Sequence, residues 1–532
     1  MALKRLNQEK YYYFIFIFIT AIFLLTRLFR LNSIPFTVTG LHADEFSAAY
    51  DAWCIQGWGV DRHLTRFPVY FMNTGPGQNS LYIYLAAIIF KFFGFSVFKF
   101  RLVAVICAAI AYICLFLLSG KIIGTDIYSL IPNALMTVMP VFLMSEHWGL
   151  ESYLFLSFSI ISFSLLIISI EKKKITYFVI DGIAWGITFY TYGMSYVVLP
   201  LFLISCMIYL IYVKEINIRM ILAMGIPIVL LGVPLAVEQL VIAGIAPPFS
   251  IGPMDFFPMD KSRAGELSLS NIPSNLISSF KTIFVEDYMF YNGDARFGTI
   301  FYISIPFMII GMSVSLINII NSLKRRTYSF HMLIFLFYLI ARIVSLMTFM
   351  VNINKANEIY FPYLLFTAFG IIFTSQHLDK KLKLPIALGT ICAVYAVTFC
   401  FFSYWIYSGG ENSWNHKTMP RYEEDIIYDT HIGYAVQDAQ SISSGRPIQI
   451  IINALEFRYD LICLFAGTSP YDYVKEGYNE NNYDISVPDE LDLSGDVVYL
   501  IDGELHHITD YLVSEGFTNH VARYGEFSIV YK

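Results

Sequence analysis

Long apolar runs separated by short polar loops fill the first three quarters of the chain. A helix needs about 20 apolar residues to cross the hydrocarbon core of a bilayer. Runs of roughly that length predict eleven spans, near residues 11–29, 97–118, 126–144, 150–170, 175–192, 195–213, 219–238, 297–319, 330–350, 357–375 and 384–407. A further run at 80–93, SLYIYLAAIIFKFF, has only 14 residues. It predicts a helix that lies at the membrane interface or re-enters from one side.

Basic residues in the short loops indicate which side of the membrane each loop occupies, because cytoplasmic loops carry an excess of Lys and Arg. If the helix at 80–93 does not cross, the basic loops EKKK at 171–174, KRR at 324–326 and DKKLK at 379–383 all lie on the side of the N-terminus. This interpretation predicts a cytoplasmic N-terminus. It places the loop 30–96, the loop 239–296 and the tail from residue 408 outside the cytoplasm.

The tail has a different pattern, in which short apolar runs alternate with amphipathic segments. PIQIII at 447–452, DVVYLID at 496–502 and FSIVYK at 527–532 predict strands, and the segments 423–442 and 504–517 predict helices. Such alternation is typical of a small α/β domain. We therefore expect a transmembrane domain at 1–407 and an extracytoplasmic α/β domain at 408–532, the latter as an accessory or acceptor-docking unit.

Composition agrees with a multi-pass membrane protein. Of the 532 residues, 57% are hydrophobic and 14% are charged, whereas soluble domains carry about 25% charged residues. The net charge of -6 argues against nucleic acid as a partner. Most of the seven cysteines lie in apolar runs, which argues against a disulfide framework.

Charged residues cluster in the segments predicted to lie outside the cytoplasm, and charges close to a bilayer core often mark functional sites. These residues are His42, Asp44, Glu45, Asp51, Asp61, Arg62, His63 and Arg66 in the first loop, Glu146, His147 and Glu151 after the third span, and Lys355 and Glu358 before the tenth. A carboxylate can act as general base toward a hydroxyl, and a lysine can stabilise a phosphate leaving group. Together they predict transfer of a sugar from a lipid phosphate.

Several segments in this order resemble those of a known family. HADEFSAAYDAW at 42–53 and GPGQNSLYIYLAAIIFKFFGFSVFKFRL at 75–102 resemble the first outer loop and second span of the GT-C glycosyltransferases. The most similar branch is that of protein O-mannosyltransferases and bacterial aminoarabinose transferases. SEHWGLESY at 145–153 and NINKANEIYFPYLLFTAFG at 352–370 are similar to later motifs of that branch, with Glu146 where those enzymes usually have Arg.

The resemblance implies a GT-C membrane domain with juxtamembrane helices in the first outer loop. It also implies transfer of a monosaccharide, a hexose or a pentose, from a polyprenyl-phosphate sugar on the outer leaflet. The acceptor would be a hydroxyl of a cell-surface glycan, a glycolipid or a protein, and the anomeric configuration would invert.

The resemblance also implies roles for individual residues. Asp44 would be the catalytic base, and Glu45 would support it or bind the acceptor. Glu151 would be the acid of the second motif. The donor phosphate would contact Lys355, together with Arg101 or Arg66. The need for a divalent metal cation as cofactor is left open, and its candidate ligands are His42, His147 and Glu151.

Structural roles and other functions remain as alternatives. Asp44, Glu45 and Glu151 would also suit the first turns of helices, and Lys355 could be a membrane-edge anchor. A flippase or transporter of lipid-linked glycans would favour charges at mid-membrane on broken helices. A glycan polymerase or ligase would be expected to place its key residues in a late loop such as 239–296.

Overall fold

The computed structural model describes residues 2–33, 40–73, 77–259, 266–284, 293–382, 386–408, 427–452, 458–476 and 490–532. The helices up to residue 407 are α1 (Ala2–Leu28), α2 (Ala43–Trp58), α3 (Leu81–Phe93), α4 (Val97–Ile122), α5 (Ile131–Val138), α6 (Pro140–Ser145), α7 (Glu151–Lys172), α8 (Ile175–Thr188), α9 (Ser195–Tyr212), α10 (Ile218–Ile242), α11 (Ile272–Lys281), α12 (Ser304–Arg325), α13 (Phe330–Met347), α14 (Tyr360–Leu382) and α15 (Ala387–Tyr407).

Nine of the helices in the described part of the chain are long and apolar enough to cross a membrane: α1, α4, α7, α9, α10, α12, α13, α14 and α15. They confirm a multi-pass helical membrane protein. The other two predicted spans are shorter helices, at Ile127–Val138 and Ile175–Thr188. Helix α3 has 13 residues, a length of about 20 Å, which is less than the roughly 30 Å of the hydrocarbon core.

The predicted span at 126–144 is not one continuous helix. Helix α5 ends at Val138, and α6 begins at Pro140 after an extended Met139. A proline has no N–H to donate and disfavours helical backbone at the residue before it. The carbonyls of Met136 and Thr137 instead accept N–H groups of Arg27 from α1, both at 2.7 Å. A buried side chain of the first span thus caps the broken helix.

Glu146, which stands where the resembling enzymes usually have Arg, has a structural partner. Its carboxylate accepts a hydrogen bond of 2.6 Å from Nε of Arg27, and both side chains are buried. The same guanidinium therefore caps α5 and neutralises the carboxylate that follows α6. The charge at position 146 is accounted for by this ion pair between the first span and the interrupted one.

The C-terminal region contains the predicted α/β elements. A four-stranded sheet has the order β7 (Ile448–Ile451), β8 (Val498–Asp502), β10 (Phe527–Tyr531) and β9 (Thr518–Val521). Strands β7 and β8 are parallel, and the other pairs are antiparallel. The helices are α16 (His431–Ser443), α17 (Arg458–Ala466), α18 (Pro470–Glu476) and α19 (His506–Ser514). The strands predicted at 447–452, 496–502 and 527–532 are confirmed, as is the helix within 504–517.

The expected helix over 423–442 is only partly correct. Strand β6 (Ile427–Asp429) precedes α16 and pairs antiparallel with β1 (Gly40–His42) in the first loop. Residues 423–426 lie outside the described part of the chain. Because a strand needs a partner to satisfy its backbone, β6 forms only where the first loop supplies an edge. The residues of the segment 423–442 alone therefore do not specify this strand pairing.

The C-terminal region and the first loop share one hydrophobic core. Leu41 and Phe46 of the first loop pack in the same buried cluster as Ile432, Leu461 and Phe465 of the C-terminal region. The tyrosine hydroxyl of Tyr50 also donates to the carbonyl of Thr468 at 3.2 Å. The boundary at residues 407 and 408 stays a prediction, and this packing ties the two predicted domains together at the first loop.

Two hairpins complete the outer loops. Strands β2 (Tyr70–Phe71) and β3 (Gln78–Asn79) pair antiparallel before α3. In the loop after α10, β4 (Phe249–Ile251) pairs with β5 (Met254–Phe256). The first hairpin brings Gln78 and Asn79 beside the start of α2, where the candidate site lies.

Candidate active site

A cavity of about 250 Å³ lies between the first loop, the turn before α7 and the turn before α14. Its lining residues are His42, Asp44, Asn73, Gly77, Gln78, Leu150, Glu151, Ser152, Tyr192, Glu266, Asn352, Asn354 and Lys355. Four of the residues predicted for the site are therefore brought together, namely Asp44, Glu151, Lys355 and His42. The other predicted residues (Glu45, Arg101, Arg66 and His147) do not line this cavity.

Asp44 lies in the first turn of α2 and faces the cavity with a side chain that is 48% exposed. The N-terminus of α2 is capped by His42, whose Nδ1 accepts the N–H of Asp44 at 3.0 Å. Burial lowers the pKa of His42, although the carboxylate of Asp44 opposes this shift. A neutral imidazole with Nδ1 as acceptor fits the cap. Asp44 thus presents a fixed carboxylate to the cavity.

Glu45 points the other way and is completely buried. Its carboxylate accepts two hydrogen bonds from Arg101, at 2.7 and 2.6 Å. It also accepts the backbone N–H of His42 at 3.0 Å and that of Gly149 at 2.6 Å. The two adjacent acids therefore have different environments, and Glu45 joins α2, α4 and the turn before α7.

Gly149 is required for this junction. A Cβ atom at Gly149 would lie 2.3 Å from the ring of Phe100 and 3.1 Å from Oε1 of Glu45. The close approach lets the backbone N–H of Gly149 reach the carboxylate, and α7 begins two residues later at Glu151. The buried pair of Glu45 and Arg101 thereby fixes where α7 starts relative to Asp44.

Glu151 is the first residue of α7 and is mostly buried. Its Oε2 accepts the backbone N–H of Asn79 from the first hairpin. The side chain of Asn79 in turn accepts the hydroxyl of Tyr196. Glu151 therefore holds the hairpin against α7 while it lines the cavity, so its structural and functional interpretations are compatible.

Lys355 lies opposite, in a 3₁₀ helix at Asn354–Ile359 that leads into α14. Its Nζ is 3.4 Å from the carboxylate of Glu266, and the lysine side chain is 24% exposed. The buried amide of Asn357 donates to the carbonyl of Ser152 at 2.9 Å. This hydrogen bond ties the turn that carries Lys355 to the first turn of α7. The ammonium group is thus held at the cavity with an ion partner that a phosphate could replace.

The structure places the two predicted arginines elsewhere. Arg101 is buried, pairs with Glu45 and also donates to the carbonyl of Gly40 at 2.9 Å. Arg66 pairs with Asp255 of β5 at 2.7 Å, and this partner lowers the pKa of Asp255 to about 2. Neither guanidinium lines the cavity. Their contact with a donor phosphate stays a prediction that this packing disfavours.

A metal site does not form among the described residues. No group of three or more His, Cys, Asp or Glu side chains in that part of the chain is arranged to hold an ion. Of the candidate ligands, His42 and Glu151 line the cavity, but His147 is buried beside the carbonyl of Leu143, with Nδ1 at 2.6 Å. Burial lowers the pKa of His147 to about 4.

Amide side chains also line the cavity, and no role was predicted for them. Asn73 donates to Oδ1 of Asp44 at 2.9 Å and to Oε1 of Gln78 at 3.2 Å. Nε2 of Gln78 is buried and has no hydrogen-bond partner among the described residues. The amides of the segment NTGPGQNS at 73–80 were the available signal. Amides are common in turns, so that signal alone does not point to a site.

Comparison with known proteins supports the resemblance. A family model described as dolichyl-phosphate-mannose-protein mannosyltransferase matches residues 79–237. A search of curated protein sequences found no significant match. The crystal structure of ArnT from Cupriavidus metallidurans bound to undecaprenyl phosphate aligns with a TM-score of 0.52 and 11% identity, over 97% of this chain and 97% of that one.

A second similar structure belongs to another type of enzyme. The crystal structure of the Archaeoglobus fulgidus oligosaccharyltransferase in complex with Zn and sulfate aligns with a TM-score of 0.50 and 14% identity. The alignment covers 96% of this chain and 72% of that one. At such low identity the alignments establish the fold. The chain therefore has the GT-C fold that these two membrane proteins share.

Proposed function

We propose that the protein transfers a monosaccharide from a polyprenyl-phosphate sugar to the hydroxyl of a cell-surface acceptor, with inversion at the anomeric carbon. The observation that carries the proposal is the shared cavity of Asp44 and Lys355. These are the two functional groups that a displacement at a glycosyl phosphate requires, a base for the nucleophile and a cation for the leaving group. The undecaprenyl phosphate in the similar ArnT structure supports a lipid-phosphate donor.

The reaction would proceed in one displacement. The acceptor oxygen forms a bond to the anomeric carbon on the face opposite the phosphate, and its proton moves to Asp44. The bond between the anomeric carbon and the phosphate oxygen breaks, and its electron pair stays on the released polyprenyl phosphate. Lys355 stabilises the negative charge that develops there. Because the nucleophile attacks opposite the leaving group, the configuration inverts.

Burial supports Asp44 rather than Glu45 as the base. The carboxylate of Asp44 is 48% exposed at the cavity, so a hydroxyl can reach it. The carboxylate of Glu45 is completely buried and accepts N–H groups from Arg101, His42 and Gly149. We therefore assign the proton transfer to Asp44 and a positioning role to Glu45.

The proposal includes an orientation in the membrane. The N-terminus is cytoplasmic, and the cavity and the C-terminal region lie outside, because the basic loops then lie on the cytoplasmic side. Reporter fusions after residue 532 and after the loop at 171–174 test this orientation. Activity of an extracytoplasmic reporter, such as alkaline phosphatase, is expected only at the first position. The reverse result would place the cavity at the cytoplasmic leaflet and contradict a donor on the outer leaflet.

Purified protein offered undecaprenyl-phosphate-linked mannose, glucose, galactose and aminoarabinose tests the activity itself. Release of undecaprenyl phosphate is the readout, with short glycans and peptides as acceptors. Asp44→Asn should abolish release, whereas Asp438→Asn, which changes an aspartate in the C-terminal region that pairs with Arg523, should not. No release by folded wild-type protein from any donor would refute the proposal. Full release by Asp44→Asn would refute the assignment of the base.

A further inference from the structure

A continuous chain of hydrogen bonds connects the C-terminal region to the cavity. Nη1 of Arg62 donates to Oδ2 of Asp460 at 3.0 Å and also to the hydroxyl of Ser47. The hydroxyl of Ser47 donates to Oδ1 of Asn73 at 2.8 Å. Nδ2 of Asn73 donates to Oδ1 of Asp44 at 2.9 Å. Asp460 lies in α17, and the other residues lie in the first loop.

The chemistry of Arg62 sets the direction of these bonds. A guanidinium can only donate, so the oxygen of Ser47 accepts from Arg62 and its single proton is available for the next contact. That proton goes to Oδ1 of Asn73. The amide of Asn73 has a donor side and an acceptor side, and with its acceptor side taken by Ser47 its NH₂ group faces Asp44. We propose that Asn73 is a positioning residue of the cavity and that the C-terminal region, through this relay, sets its orientation.

Burial makes the relay hard to rearrange. Ser47 is fully buried, Arg62 is 3% exposed and Asp460 is 5% exposed. Asp460 accepts a second hydrogen bond, from the hydroxyl of Tyr473 at 2.7 Å. Reversal of any link would leave a buried donor or acceptor without a partner, which is costly. In a medium of low dielectric such hydrogen bonds also polarise one another, which strengthens the links of the relay.

The relay has a second consequence, for substrate binding. Asn73 also donates to Oε1 of Gln78 at 3.2 Å, and this contact places the acceptor side of the Gln78 amide toward Asn73. Gln78 lines the cavity, and its Nε2 is then a buried donor without a partner among the described residues. We infer that its ligand is an oxygen acceptor, either a sugar hydroxyl or a phosphate oxygen of the donor. This inference rests on the proposed function.

A double-mutant cycle tests the relay in turnover. Asp460→Asn and Asn73→Ala are each expected to lower kcat by about tenfold. Members of one hydrogen-bond network are not additive, so the double variant should also lose about tenfold rather than a hundredfold. Asp438→Asn serves as control, because its pair with Arg523 in the same region does not reach the cavity. Its combination with Asn73→Ala should lose no more than Asn73→Ala alone.

Two results of this cycle would overturn the proposal. One is wild-type kcat in Asp460→Asn, and the other is a hundredfold loss in the double variant. Ser47→Ala removes only a hydroxyl and provides an independent variant if Asp460→Asn folds poorly. A second double-mutant cycle does not depend on enzyme activity. It compares the midpoints of thermal unfolding in detergent for Ser47→Ala, Asp460→Asn and the double variant. Coupled shifts of the unfolding midpoint support the relay. A failure to turn over any donor would refute only the proposed function. Additive shifts would refute the relay.

A readout on the donor tests Gln78. Gln78→Ala is expected to raise KM for the donor about tenfold, because the truncated side chain cannot donate to its oxygen. Gln78→Glu should raise KM for the donor further. A carboxylate has no N–H to donate to a sugar hydroxyl, and it repels a phosphate. A KM that stays at the wild-type value in both variants would overturn the assignment of Gln78. In that case the relay would still be judged by the two cycles above.

Discussion

The adjacent acids Asp44 and Glu45 should give opposite phenotypes when each loses its charge. Glu45→Gln is expected to destabilise the protein strongly. Its carboxylate accepts four N–H groups, two of them from Arg101 at 2.7 and 2.6 Å. Asp44→Asn is expected to fold normally and to lose turnover, because Asp44 is half exposed and faces the cavity.

The magnitudes follow from burial. Glu45 and Arg101 are both completely buried, and removal of one partner of a buried ion pair costs about 3–5 kcal/mol. In Glu45→Gln an NH₂ group would also face donors of Arg101 or Gly149, so we expect the upper part of that range. Asp44 lies in a partly exposed position, where loss of a charge interaction costs about 0–1 kcal/mol. Loss of a general base lowers the rate by about 10²–10⁴-fold.

The assay compares both variants with wild-type protein in the same detergent. Unfolding free energies come from denaturant titrations, and turnover comes from release of undecaprenyl phosphate per folded molecule. Equal destabilisation by the two variants would refute the assignment of buried and cavity-facing roles. A stable Glu45→Gln with low turnover would likewise contradict the reasoning, because it would place Glu45 in the chemistry rather than in the scaffold.

Three further predictions concern other parts of the site. Lys355→Ala should raise KM for the donor and lower kcat by about 10²-fold, with partial recovery in Lys355→Arg, as steady-state kinetics can measure. Gly149→Ala should lower the free energy of unfolding by about 1–3 kcal/mol through overpacking, while Gly193→Ala, where an added Cβ meets nothing within 4 Å, should not; equal stability of the two would contradict the close approach at Gly149. Burial lowers the pKa of His147 from 6.5 to about 4. Between these two pH values the unfolded chain therefore binds more protons than the folded protein. Stability should therefore fall as the pH falls from 6.5 toward 4, and His147→Gln should weaken that slope in thermal unfolding followed against pH.

The sequence by itself determined the membrane class of the protein and much of its secondary structure. Length and apolarity are local properties, so the nine membrane-length helices in the described part of the chain lie where apolar runs predicted them. The strands at Ile448–Ile451, Val498–Asp502 and Phe527–Tyr531 also coincide with the expected segments. The sequence, through its resemblance to a known family, also predicted a site around Asp44, Glu151 and Lys355. The structure places all three at one cavity.

Only the tertiary structure decided which partners each charged residue has. Successive residues of a helix point about 100° apart, so Asp44 and Glu45 must face different surroundings, but which one meets the cavity depends on distant segments. Glu45 accepts hydrogen bonds from Arg101 and Gly149. Glu146 accepts one from Arg27, which lies 119 positions away in the chain. The relay from Asp460 to Asp44 likewise forms only when the C-terminal region packs on the first loop. A pattern along the chain reports local preference, whereas hydrogen-bond partners and burial are set by which segments meet in space.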